Sequence, residues 1–85
     1  MIEKKTVLVT GSAGRVGQAA VIGLLERGHN VRGFDRAPSP HLPNATVADL
    51  CDLDSLTKSM EGIDVLVHLA ATPDDVEDPV NNLFP

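Results

Sequence analysis

Three glycines, at positions 11, 14 and 17 of the stretch "VLVTGSAGRVGQ", follow directly on a short apolar run. Glycines so spaced suit one kind of chemistry, holding a phosphate with backbone rather than with side chains. Gly11 lets the chain leave a strand in a tight turn. Gly14 removes a side chain where backbone must approach a pyrophosphate, and Gly17 lets the next helix pack close to a sheet. The N–H groups of that helix's first turn, near Arg15 and Val16, then face the anion with the positive end of the helix dipole. Ser12 offers an additional hydroxyl. Asp35 lies eighteen residues after Gly17, where a carboxylate accepts both ribose hydroxyls of an adenosine.

Glycine-rich turns also join strands to helices without binding anything, so the surrounding elements decide. Lys5–Thr10 is short, β-branched and bounded by glycine, which predicts a buried strand. Val16–Arg27 carries apolar residues on more than one stripe and predicts a largely buried helix ending at Gly28. Gly23 inside it costs about 1 kcal/mol relative to alanine, and a close contact with the sheet would account for it. Val31–Asp35 predicts a second strand. The segment 36–44, "RAPSPHLPN", holds three prolines and predicts a rigid connecting loop, not a helix. Thr46–Ala48 is a brief third strand. Asp52 or Asp54 caps a helix to about Met60, with Gly62 beyond it. Asp64–Leu69 is a fourth strand, and a loop with at most a helical turn follows from Ala70.

This β-α-β-β-α-β order predicts an α/β fold: the N-terminal half of a Rossmann-type, doubly wound parallel sheet in strand order 3-2-1-4. The 85 residues are expected to make one small domain at most, a half-domain of that fold, and a chain this short buries only about 60–65% of its unfolded surface. Net charge is −5, with six basic residues against three acidic up to residue 42 and nine acidic against Lys58 thereafter. The mildly basic first half suits a small anion, and the acidic total argues against nucleic acid. Apolar runs are too short for a membrane span. A single cysteine, Cys51, excludes an internal disulfide and suits a cytoplasmic protein.

Other reactive residues fit bland roles. His68 lies inside an apolar strand and is expected to be a hydrogen-bonded structural histidine. His29 and His41 are expected at the surface, and the three lack metal-ligand spacing, so no metal is expected. Cys51 has no basic neighbour and is expected to be inert. The acidic "DDVED" lacks the glycine turn of a calcium loop and is expected to be solvated. No Gly-Lys-Ser/Thr follows the glycines, which disfavours a P-loop. A methyltransferase half binding S-adenosylmethionine competes more closely. It usually carries an acid just before its glycines, where this chain has Thr10.

Taken together, "TGSAGRVG", "GFDR", "ADLCD" and "VLVHLAA" resemble the extended short-chain dehydrogenases/reductases, the NAD-dependent epimerase/dehydratase group, over about Lys5 to Pro85. The resemblance implies that Gly11, Gly14 and Gly17 form the family's glycine motif and that Asp35 is the acid on the adenine ribose. It implies that Asp49 and Leu50 flank the adenine ring, with the Asp49 carboxylate on the exocyclic amine. It also implies that Leu69, Ala70 and Ala71 form the small-residue strand end beside the cofactor. Arg36 stands where members using NADP place a base for the 2′-phosphate. Asp35 before it repels that phosphate, so NAD is expected over NADP.

The family's hydride chemistry needs a Tyr with a Lys four residues on to lower its pKa, since an unperturbed Tyr titrates near 10. This chain contains no Tyr. Substrate-binding and catalytic parts are therefore expected outside it, and the 85 residues alone are expected to be inactive. The resemblance implies action on a sugar or nucleotide-sugar when those parts are present. The competing reading is a natural short form that binds or senses a dinucleotide without chemistry. A half-sheet leaves its fourth strand uncovered, so the isolated chain is expected to be poorly stable or to self-associate.

Overall fold

A computed structural model of the chain describes residues 3–70. Its elements are β1 (Thr6–Thr10), α1 (Arg15–Glu26), β2 (Asn30–Asp35), β3 (Thr46–Val47), α2 (Leu53–Ser59) and β4 (Val65–His68). They match the expected order, with boundaries shifted by a residue or two. The loop expected after Ala70, and Ala71 itself, lie outside the described residues.

The four strands form one sheet in the order β3-β2-β1-β4, and every pairing is parallel. The strand order follows from chirality. The β1-α1-β2 unit steps one way across the sheet, and the β3-α2-β4 crossover steps back past β1. Right-handed connections in opposite directions place their helices on opposite faces. Accordingly, Val21 of α1 packs on Val7 and Val9 of β1. The guanidinium of Arg32, paired in register with Leu8, donates to the carbonyls of Ser59 and Glu61 at the end of α2, on the other face.

The core sits on the central strand. Val7, Leu8 and Val9 are buried, together with Val21 and Phe34. Each such side chain contributes about 1.5–3 kcal/mol. A strand buried on both faces must be apolar without alternation, which is why "VLV" reads as a run.

Three expectations are corrected. Helix α1 is not largely buried: only Gly17 and Val21 are, while Val16, Ile22 and Leu25 are exposed. Among the described residues one layer flanks the helix, so one stripe suffices and its other apolar positions face outward. Gly23 makes no close approach, because a Cβ there would meet nothing within 4 Å. Its identity has no account in this packing. His29 is half-buried rather than a surface residue, since its Nδ1 accepts the Lys5 N–H at 3.0 Å and ties the strand's entry to the turn before β2.

The segment 36–44 is no helix, as its prolines require, and it is more than a spacer. Ser39 and Leu42 form an isolated antiparallel bridge. The Leu42 side chain reaches back onto the Val7–Val9–Val21 cluster.

Candidate functional site: the glycine loop and the strand ends

Because all four strands are parallel, their C-terminal ends lie along one edge of the sheet. The chain reverses its direction across the sheet between β1 and β4, and such a reversal opens a crevice at those ends. The glycine loop leaves β1 at that point.

Gly11 has φ +80°, a conformation a side chain strains. A Cβ there would also lie 2.8 Å from the Ala70 nitrogen and 2.9 Å from the Leu69 carbonyl carbon. Turn and close approach thus both require glycine. Gly17 is more confined still, and the neighbour differs from the expected one. Its Cβ would stand 1.8 Å from the Gly11 oxygen and 2.9 Å from the Ser12 Cα, so Gly17 seats the helix on its own entry loop rather than on the sheet. Gly14 has ordinary extended dihedrals as the N-cap of α1, and a Cβ there would touch only the Gly11 oxygen, at 3.5 Å. Neither backbone nor packing demands glycine at position 14, which leaves open space above the loop.

The first turn of α1 carries no acidic residue and no side-chain cap. The Gln18 N–H returns to the Gly14 carbonyl. Among the described residues no protein acceptor meets the N–H groups of Arg15, Val16 or Gly17. An uncompensated helix start with three free donors and room above it is chemically suited to an anion.

Asp35, at the end of β2, turns toward this loop. One carboxylate oxygen accepts the Ala13 N–H at 2.9 Å and the other accepts the Ala37 N–H at 3.1 Å. A carboxylate oxygen has two lone pairs, so each keeps capacity for a hydroxyl. Asp49 lies past β3 and is exposed. It accepts the Cys51 N–H at 2.9 Å, and its other oxygen stands 3.8 Å from Nη1 of Arg36. The Cys51 bonds, with a smaller contribution from Arg36, hold its carboxyl below the usual carboxylate range. Leu50 is half-buried beside it.

At the end of β4, the Leu69 N–H donates to the Thr10 carbonyl at 3.0 Å and also approaches Thr10 Oγ1 at 3.2 Å. The Ala70 N–H lies 3.5 Å from the same oxygen. His68 shares a 2.6 Å hydrogen bond with that buried hydroxyl, the structural role expected of it. The structure therefore brings the glycine loop together with Asp35 and the Leu69–Ala70 backbone, and brings Arg36 together with Asp49.

Ser12 differs from its expected disposition. It is buried, and its hydroxyl bonds Ser39 Oγ at 2.6 Å, so it points beneath the loop rather than above it. Sequence reading missed three participants: Ala13, Thr10 and Ser39. Thr10 carried a weak signal as a β-branched hydroxyl at the end of a buried strand. Ser39, between two prolines, carried none.

A cavity of about 580 Å³ lies elsewhere, between the β2 edge, residues 42–46 and α2. Its lining includes none of the glycine-loop or strand-end residues named above.

Residues 7–82 match the family model described as the NAD dependent epimerase/dehydratase family. The chain is 51% identical over 69 residues to a 3 beta-hydroxysteroid dehydrogenase/Delta 5-->4-isomerase of Mycobacterium tuberculosis, over 76% of this chain and 19% of that protein. Among solved structures it resembles a short-chain dehydrogenase/reductase superfamily protein from Agrobacterium tumefaciens with bound NAD, with TM-score 0.70, 41% identity, 82% of this chain and 23% of that one. It also resembles MoeE5 in complex with UDP-glucose and NAD, with TM-score 0.68, 39% identity, 80% of this chain and 23% of that one. The chain thus spans about a fifth of the length of the curated relatives it matches.

Proposed function

The chain belongs to the NAD dependent epimerase/dehydratase family, and from that premise we propose that residues 1–85 are its dinucleotide-binding half-domain, which holds NAD. The observation that carries this reading is the open, uncapped start of α1, with Asp35 reaching over it from the neighbouring strand. In this reading the N–H groups of Arg15, Val16 and Gly17 hold the pyrophosphate, and Gly14 leaves it room. Ser12 supports the loop from below. Asp35 accepts the ribose hydroxyls, Asp49 and Leu50 flank the adenine, and Leu69 and Ala70 form the wall beside the cofactor. NAD, when bound, supplies the hydride acceptor. These residues bind and orient it; no Tyr is present among the 85 to move the accompanying proton.

Preference for NAD over NADP follows from charge. Each Asp35 oxygen accepts a backbone N–H, and a 2′-phosphate beside this carboxylate would place like charges together. Arg36, the residue able to offset this, is turned to Asp49 at 3.8 Å. Titration of the chain with NAD, NADP and S-adenosylmethionine by calorimetry tests the reading. Tighter binding of NAD than of NADP, and none of S-adenosylmethionine, is expected. NADP binding at least as tight as NAD overturns the role given to Asp35, and absence of any dinucleotide binding overturns the function.

In its complete form the protein acts in the cytoplasm on a sugar or nucleotide-sugar by hydride transfer, a reading supported by the likeness to MoeE5 in complex with UDP-glucose. The likeness to the mycobacterial steroid dehydrogenase favours a second reading, a steroid alcohol. Turnover of a protein containing the catalytic pair, assayed with both classes, separates them.

A further inference from the structure

The glycine loop is tied to the segment after β2 at two points. One tie is part-buried: Asp35 accepts the Ala13 and Ala37 N–H groups. The other is buried: Ser12 and Ser39, 1% and 6% exposed, share a 2.6 Å hydrogen bond. Gly33 makes the buried tie possible. A Cβ there would lie 2.7 Å from Ser12 Oγ and 2.9 Å from both the Ala45 Cβ and the Leu42 Cδ1. Ser39 is itself anchored, because its carbonyl accepts the Leu42 N–H at 3.1 Å and the Leu42 side chain packs on the core. A continuous chain of contact thus runs from the core through Leu42, Ser39 and Ser12 to the loop.

We propose that Ser39 is a positioning residue of the glycine loop, its buried hydroxyl holding Ser12, and so the start of α1, in a binding-ready arrangement. The inference rests on the dinucleotide reading above and deepens it. The two ties answer differently to a ligand. Asp35 meets the ribose hydroxyls with its spare lone pairs, so its tie to Ala13 lies at the binding surface itself. The Ser12–Ser39 bond lies beneath the loop and is untouched by anything bound above it. Losing it leaves a buried hydroxyl without a partner, which the chain relieves by letting the loop move so that Ser12 reaches water. A loop that spends only part of its time in the competent arrangement binds more weakly by that fraction.

The test compares the wild-type chain, Ser39→Ala and Ser12→Ala/Ser39→Ala by NAD calorimetry and by amide hydrogen exchange of residues 11–17. Ser39→Ala is expected to bind NAD about tenfold more weakly and to exchange faster in the loop. The double variant also lacks the tie and is expected to remain weaker in NAD binding and faster in loop exchange than wild type. Faster exchange of residues 11–17 without NAD is the mark of positioning, because a Ser39 that only touched the cofactor would leave the free loop unchanged. Unchanged exchange in Ser39→Ala, or a double variant restored to wild type, overturns the proposal. Should the wild-type chain bind no NAD, the dinucleotide reading falls, while loop exchange still decides the role of Ser39.

Discussion

At the scale of single residues, Asp35 does two jobs with one carboxylate. It closes the glycine loop through Ala13 and offers remaining lone pairs outward. Asp35→Ala therefore removes a loop tie along with the proposed ribose acceptor, and NAD affinity is expected to fall about ten- to a hundredfold. Calorimetry at fixed salt checks this. The same variant is not expected to become an NADP binder, because the loop loses its hold as the charge leaves. Asp49 and Asp52 carry a pH signature. Bonds from Cys51 lower the first below 3.8, and bonds from the Ser55 hydroxyl and N–H lower the second below 3.8. A folded carboxyl that binds its proton more weakly than the unfolded one stabilises the fold above the unfolded value. That contribution disappears as pH falls from about 4 through the folded values. Carboxyl carbon titration by NMR is expected to give both midpoints below 3.8, and midpoints at or above it would refute these bonds in solution.

At the scale of elements, two glycines of α1 make opposite predictions. Gly17→Ala puts a methyl into the Gly11 carbonyl, so the fold is expected to lose about 1–3 kcal/mol and the loop its shape. Gly23→Ala meets nothing and is expected to gain up to about 1 kcal/mol from helix propensity. Chemical denaturation of the two variants measures both signs. Helix α2 has only seven residues and depends on its cap, where Asp52 accepts the Ser55 N–H and hydroxyl at 3.2 and 2.8 Å. Asp52→Ala is expected to cost about 1 kcal/mol. The elements were legible because their local rules agree: apolar runs between glycines, an aspartate at a cap, prolines where no helix forms. The burial of α1 was not. Periodicity shows which residues are apolar, but how many of them find a neighbour depends on layers a sequence of this length does not define.

At the scale of the whole molecule, strand order was legible because connection handedness leaves few alternatives, and the glycine loop and Asp35 were legible by spacing. Ser39 and Ala13 were not, since their roles arise from two loops meeting across the sheet. The described sheet ends on β4, whose Val65 and Leu66 are each more than two-fifths exposed. Apolar edges recruit partners, so the isolated chain is expected to self-associate. Sedimentation velocity should show mass rising with concentration, and Leu66→Lys should shift the chain toward monomer. A concentration-independent monomer would refute this. The bare α-carbon of Gly11 has a last consequence, in time rather than space. It rests against Leu69 and Ala70, nearly sixty positions along the chain, whereas β1, α1 and β2 are close neighbours in sequence. Contacts between distant positions close late in folding. The glycine loop is thus expected to gain its back wall only when β4 docks, late in the folding of the chain.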